Sequence, residues 1–317
     1  MPIQKCPLCL ETKNVVSSHL IPAKVYEYLH APGTHPISIS SKVVLATDRQ
    51  LQAYLLCLEC EDRLNKGGEM WLLPLFATYE GSFPFYDLLT KVAPEASFEE
   101  GAAYLVSKNP AIQVDKLVHF GMGMFFKAAA HSWERDKKEP MIELGPYLES
   151  VRAFLMGETE FPQHMTLNVG VLPPPVKAIS CSYPYRGSNT ACHNYLFYIS
   201  GIEFALGVGK QIDLVARQAC FASNPLHPII VTDYSEDIRG NFNRVWKKAK
   251  KAKNLGKHMK NLKAGELLVA RVGARLVVMH NTVRRLELDP LNFAEEERSR
   301  RRQAWTEGWE ADRQARA

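Results

Sequence analysis

Apolar positions outline the chain before any motif does. Val114, Leu117, Val118, Met122, Phe125 and Phe126 recur at roughly helical spacing, and Tyr147–Met156 (YLESVRAFLM) repeats the pattern. Residues 76–165 are therefore expected to be mainly helical. From residue 166 the pattern turns towards strand. LNVGVL, NYLFYISGIEFALGVG, HPIIVTDY and LLVARVGARLVVM are rich in β-branched and aromatic residues and bounded by Gly, Pro and Asn, so 166–290 reads as a β-rich region. Residues 291–317 form a charged tail whose stretch 294–317 holds six acids and six arginines, a solvated helix or frayed end. No internal repeat is visible.

Residues 1–75 have a different character. Cys6-Pro-Leu-Cys9 opens them, a hairpin-like region around Val15–Pro22 follows, and a helix is predicted over Ala23–Leu29. A Gly/Pro/Ser-rich loop covers 31–41. The unit closes on LLCLECEDRLNKGGEMW, where Glu61 and Asp62 suit the first turn of a helix and Gly67-Gly68 suits its stop. Such a helix spans only about two turns and needs tertiary or metal support.

Composition narrows the class. The chain has 317 residues, 46% hydrophobic and 23% charged, which suits a folded core and excludes disordered or collagen-like chains. No run approaches the ~18 apolar residues of a membrane span. MPIQKCPLC lacks the apolar segment of a secretory signal, so a cytoplasmic chain without a membrane partner is expected.

The net charge of +5 is uneven. Residues 239–263 hold two Arg and eight Lys with no acid, or +10, so the rest totals 5 − 10 = −5. Residues 1–75 balance seven basic against seven acidic side chains. Any polyanion would be gathered by the single basic segment, with Arg244, Lys247, Lys248, Lys250 and Lys251 beside Phe242 and Trp246 as candidate nucleic-acid contacts. The competing explanation is a solvated basic helix.

Four of the seven cysteines form two Cys-x-x-Cys pairs, Cys6/Cys9 and Cys57/Cys60. Two such pairs suit four thiolates around one structural Zn2+. A redox dithiol is the alternative, but neither pair lies in a βαβ pattern. Gly207-Val-Gly209-Lys210 imitates the end of a phosphate loop but lacks its first Gly and its Ser/Thr, and reads as a turn after a strand.

Cys-x-x-Cys, then SSHLIP, then LLCLECE resembles the HNH endonucleases of treble-clef (ββα-metal) type, in a divergent and largely uncharacterised bacterial branch. The match covers about residues 1–72. The resemblance implies an α+β protein: an N-terminal treble-clef zinc module followed by a larger mixed helical and β domain. It implies His19 as the general base that takes a proton from water attacking a phosphodiester. Glu61, directly after the fourth cysteine, would hold a catalytic Mg2+ or Mn2+. Gln52 would orient His19, and Glu69 would be a second carboxylate. Ser18 replaces the acid that commonly precedes the catalytic His.

The function expected is thus metal-dependent hydrolysis of nucleic-acid phosphodiester bonds, DNA first among the partners. By analogy with such modules joined to sensing or targeting domains, defence against foreign DNA is the suggested setting. Two alternatives stay open. One is a non-catalytic zinc-held module that binds nucleic acid or protein, and the other is a purely structural zinc module.

Overall fold

The computed structural model describes residues 1–29, 37–39, 44–46, 50–78, 82–98, 101–133, 140–171, 178–187, 193–209, 212, 229–233, 268–272 and 275–279. The architecture is α+β, with helices set among three groups of paired strands. The basic side chains Arg244, Lys247, Lys248, Lys250 and Lys251, and the tail 291–317, lie outside the described residues.

The N-terminal part contains strands β1 (Ile3–Lys5) and β2 (Thr12–His19), helix α1 (Ala23–Tyr28), strands β3 (Ile37–Ile39), β4 (Val44–Ala46) and β5 (Gln52–Cys57), and helix α2 (Leu58–Leu64). β1, β2 and β5 form an antiparallel sheet in that order. Alternation along TKNVVSSH buries Val15 and Ser18, and the register with β5 shifts between Val15 and Ser17. This bulge gives one strand two inward positions three residues apart. It leaves Ser17 and His19 together on the other face, where His19 pairs with Gln52. Cys57 caps α2 in extended conformation, so the second cysteine pair straddles a strand end and a helix start.

α2 does not stop at Gly67-Gly68. It continues through a π-turn, Asn65–Glu69, then α3 (Met70–Leu72) and a 3-10 turn, Leu73–Leu75. The two glycines serve close approach rather than termination. Helix α5 (Val114–Ala130) lies directly against them: a Cβ on Gly67 would fall 2.1 Å from His119 Nδ1, and one on Gly68 would fall 2.3 Å from the Lys116 carbonyl. Lys116 Nζ also donates to the Lys66 carbonyl at 2.7 Å.

The larger part carries α4 (Pro84–Leu89), β6 (Ala96–Phe98), β7 (Gly101–Leu105), α5 (Val114–Ala130), α6 (Tyr147–Met156), β8 (Met165–Val171), β9 (Ala178–Arg186), β10 (His193–Ile199), β11 (Ile202–Val208) and β12 (Ile229–Asp233). Both helices expected from periodicity are present. So are strands β6 and β7, which come from the stretch expected to be mainly helical. They join a seven-stranded sheet of order β6-β7-β12-β8-β11-β10-β9, in which only β12 and β8 run parallel. β13 (Leu268–Val272) and β14 (Arg275–Met279) form a further group with β3 and β4.

α5 joins the two parts. Its Phe120 and Phe125 pack on Phe197 of β10, and Phe120 also meets Phe204 of β11, with Phe197 and Phe204 stacked at 4.8 Å. Gly121 lets the helix approach, since a Cβ there would meet Phe204 at 2.9 Å. Its other side meets the π-turn. One hydrophobic core accordingly runs from Leu8 and Leu20 through Leu64, Phe76 and Phe120 to Leu167 and Phe204. Among the described residues no helix is long and apolar enough to cross a membrane.

Candidate metal centre and acid–base site

Cys6 and Cys9 sit in the turn between β1 and β2. Cys6 N donates to the Glu11 carbonyl at 2.8 Å, Leu10 N donates to the Cys6 carbonyl at 2.9 Å, and Leu10 takes a left-handed φ of 65° to close the turn. Arg152 of α6 holds this turn in place. Its guanidinium donates to the Leu8 carbonyl at 3.2 Å while paired with Glu149 and Glu158.

Cys6, Cys9, Cys57 and Cys60 converge, their sulfurs all within 4.8 Å of one another. Cys9 Sγ and Cys57 Sγ are 3.8 Å apart. A disulfide would bring them to about 2.05 Å. Tetrahedral sulfurs about 2.3 Å from Zn2+ would lie about 3.8 Å from each other, which this edge matches. The thiols' acidities point the same way. Burial would raise Cys6, but the backbone N–H groups of Cys57, Cys9 and Leu8 outweigh it and hold this thiol below its ordinary value. Burial pushes Cys57 up to about 11 and raises Cys60 further, helped by the neighbouring thiols. Burial thus opposes ionisation of Cys57 and Cys60, and a dication would remove that obstacle. The donor set fits zinc, which would be held by these four residues as a frame.

Beside the frame stands a second cluster. His19 ends β2, half-buried, with the Gln50 side chain hydrogen-bonded to its imidazole. Burial holds the imidazole below its ordinary 6.5; the Gln50 bond opposes this, Lys127 adds to it, and Glu61 opposes it. Glu61, next to Cys60 on α2, has its Oε1 buried without a hydrogen-bond partner. Glu69, in the π-turn, is pushed above the usual carboxylate range by burial, with Lys127 opposing and Glu61 adding. Lys127 of α5 is 4% exposed and donates from Nζ to the His19 carbonyl at 2.8 Å.

The π-turn explains why Glu61 and Glu69 face one region. Eight residues of α-helix overshoot two turns by ~80°. A π-turn absorbs one extra residue, so the interval acts as seven, within ~20° of two turns. The two carboxylates therefore share a helix face.

His19 and Glu69 thus each lie within electrostatic reach of Glu61 and of Lys127. Gln52 stands opposite His19 across the strands, but it is exposed and its side chain accepts a hydrogen bond from Ser17 at 3.4 Å. The amide at the imidazole is Gln50, two residues earlier. Ser18 is buried, its Oγ accepting from Leu56 N, and so points away from any ion at His19. Among the described residues the four cysteines are the one group of three or more candidate ligands with mutually close donor atoms. Glu61 offers a hard oxygen to a divalent ion, with the rest of such a shell left to water and substrate.

Two members of the cluster escaped the sequence reasoning. Lys127 carried a signal, being a lone cation among residues spaced for burial, but its partner lies 108 positions away. Gln50 carried none, since no spacing distinguishes it from Gln52. Comparison of the chain with models of protein families, with curated proteins and with solved structures gives no match in any of the three.

Proposed function

We propose that residues 1–75 form a treble-clef, HNH-like zinc module that hydrolyses nucleic-acid phosphodiester bonds. The observation that supports this reading is that the His19 imidazole, at the end of β2, lies within electrostatic reach of Glu61, near the start of α2, beside four converging cysteines. Zn2+ held by Cys6, Cys9, Cys57 and Cys60 would fix the frame.

Burial keeps the imidazole neutral near pH 7, the form able to take a proton from water. Gln50 bonds the ring and sets its direction. Mg2+ or Mn2+ at Glu61 would supply positive charge towards the developing phosphate charge. Glu69, raised above the usual carboxylate range by burial, would be a second carboxylate beside Glu61. DNA is the first candidate substrate, drawn in by the basic segment 239–263.

The test uses zinc-loaded full-length chain with supercoiled plasmid, single-stranded DNA and RNA in Mg2+ or Mn2+. Wild type is expected to cut at least one of them. His19→Ala should lower the rate at least about 100-fold, the scale of general-base catalysis, with zinc content unchanged. A clean wild type that cuts none of the three overturns the proposal.

A second reading has its own support. Ser18 is tied to Leu56 N, and His19, Glu61 and Glu69 do not form a compact three-ligand set. Both observations favour a zinc-held module that binds nucleic acid without turnover. Salt-sensitive binding without cleavage is its signature.

A further inference from the structure

Lys127 is the one charged side chain among the twelve buried residues of α5. Burying an ammonium is costly unless it is paired or hydrogen-bonded. Lys127 has no ion pair within 4.0 Å among the described residues, and its hydrogen bond goes to a main-chain oxygen, that of His19. Glu69, whose carboxyl Lys127 draws down against burial, compensates part of that charge from the π-turn. The lysine does something at the strand end that a packed hydrophobe cannot.

We infer that Lys127 is the positioning residue of the base: it fastens the end of β2 to α5 and sets a fixed positive charge behind the His19 imidazole. This inference rests on the hydrolytic role proposed for His19. Two consequences come from one ammonium. The 2.8 Å bond to the His19 carbonyl fixes the backbone from which the ring projects. The charge disfavours a second positive charge on the ring, which keeps the base free to accept a proton. The charged groups facing His19 are Lys127 from α5 and Glu61 from α2, and Glu69 from the π-turn faces both of those. With its carbonyl fixed on one side and Gln50 on the ring, His19 is held at both ends.

The experiment compares wild type, Lys127→Met and Lys127→Arg as zinc-loaded full-length chains. The His19 titration is followed by NMR on histidine-labelled protein, assigned with His19→Asn, and pH–rate profiles are taken on the best nucleic-acid substrate. In Lys127→Met the imidazole should titrate at least about half a pH unit higher, since a neighbouring like charge is gone. The acid limb of the profile should move with it, and kcat should fall at least about ten-fold while KM stays within about two-fold. Lys127→Arg should keep both titration and limb near wild type. If Met unfolds the chain, Lys127→Gln takes its place. An unmoved His19 titration in the uncharged variant overturns the inference, whether or not the chain cuts. A moved titration in a chain that cuts nothing leaves the positioning role standing and removes the hydrolytic one.

Discussion

Gly68→Ala separates two opposing effects at the π-turn. Helix propensity favours the change, since Ala is about 0.8–1.0 kcal/mol better than Gly in a helix interior. Packing opposes it. The new Cβ would stand 2.3 Å from the Lys116 carbonyl oxygen and 2.8 Å from both Phe120 Cβ and Phe120 N. Real Cβ contacts essentially never fall below 3.0 Å, so α5 and the π-turn must part by at least 3.0 − 2.3 = 0.7 Å. The obstacles are mainly backbone, which cannot rotate away, and α5 is clamped to the sheet on its far side by Phe120 and Phe125. Overpacking of this kind costs about 1–3 kcal/mol, here at the upper end. Subtracting the propensity gain leaves a net loss of about 2 kcal/mol. Gly123→Ala, on the facing helix α5, is the control: its Cβ would meet Leu64 Cδ2 at 3.4 Å, ordinary contact, so propensity should win and stability should hold or rise. Urea unfolding of the zinc-loaded chain, followed by circular dichroism, measures both. A Gly68→Ala chain as stable as wild type would refute the close approach, and with it the alignment of Glu61 with Glu69.

Two other outcomes follow from the sites. Elemental analysis should find one zinc per chain. Cys9→Ser or strong chelation should release it and destabilise the chain by several kcal/mol, zinc binding being worth about 10–16 kcal/mol in small zinc-dependent units; an unchanged urea midpoint after complete zinc loss would contradict the structural role. Stability should fall as pH drops from about 7 to 5 with zinc retained. His19, His119 and His131 are all held below 6.5 by burial, so between their folded values and 6.5 the unfolded chain binds more protons, and each site contributes at most about 1.4 kcal/mol per pH unit. Glu69, raised by burial, has the opposite sign: its contribution is complete below 4.5 and is lost as pH rises through its folded value. Three sites against one decide the direction, and a urea midpoint rising on acidification would be the wrong sign.

Local pattern carried the elements whose stability is local. Tyr147–Met156 begins and ends as its periodicity indicates, and NYLFYISGIEFALGVG folds as the hairpin β10–β11 around Ser200-Gly201. The cysteine spacing indicated convergence because two-residue spacers leave thiolates few other arrangements. Gly67-Gly68 misled because glycine has two uses. The sequence shows the missing Cβ but not the helix that fills its space. Glu61 and Glu69 read as loosely related because their alignment depends on a π-turn, which packs against α5 far along the chain. Lys127 and Gln50 reach His19 only through the tertiary fold, so no window along the chain contains the acid–base cluster.

The unbroken apolar interior has a practical corollary for anyone wishing to dissect this molecule. Leu8, Leu20, Leu56 and Leu64 are sealed by partners that include residues contributed far downstream. Cutting the chain after residue 75 would strip those faces bare and take away both α5 and the arginine that clasps the first cysteine turn. A truncated zinc fragment would then report on its own wounds. Loss of the ion, conversely, should be felt as far as the phenylalanine stack on the seven-stranded sheet, because one apolar cluster connects the two.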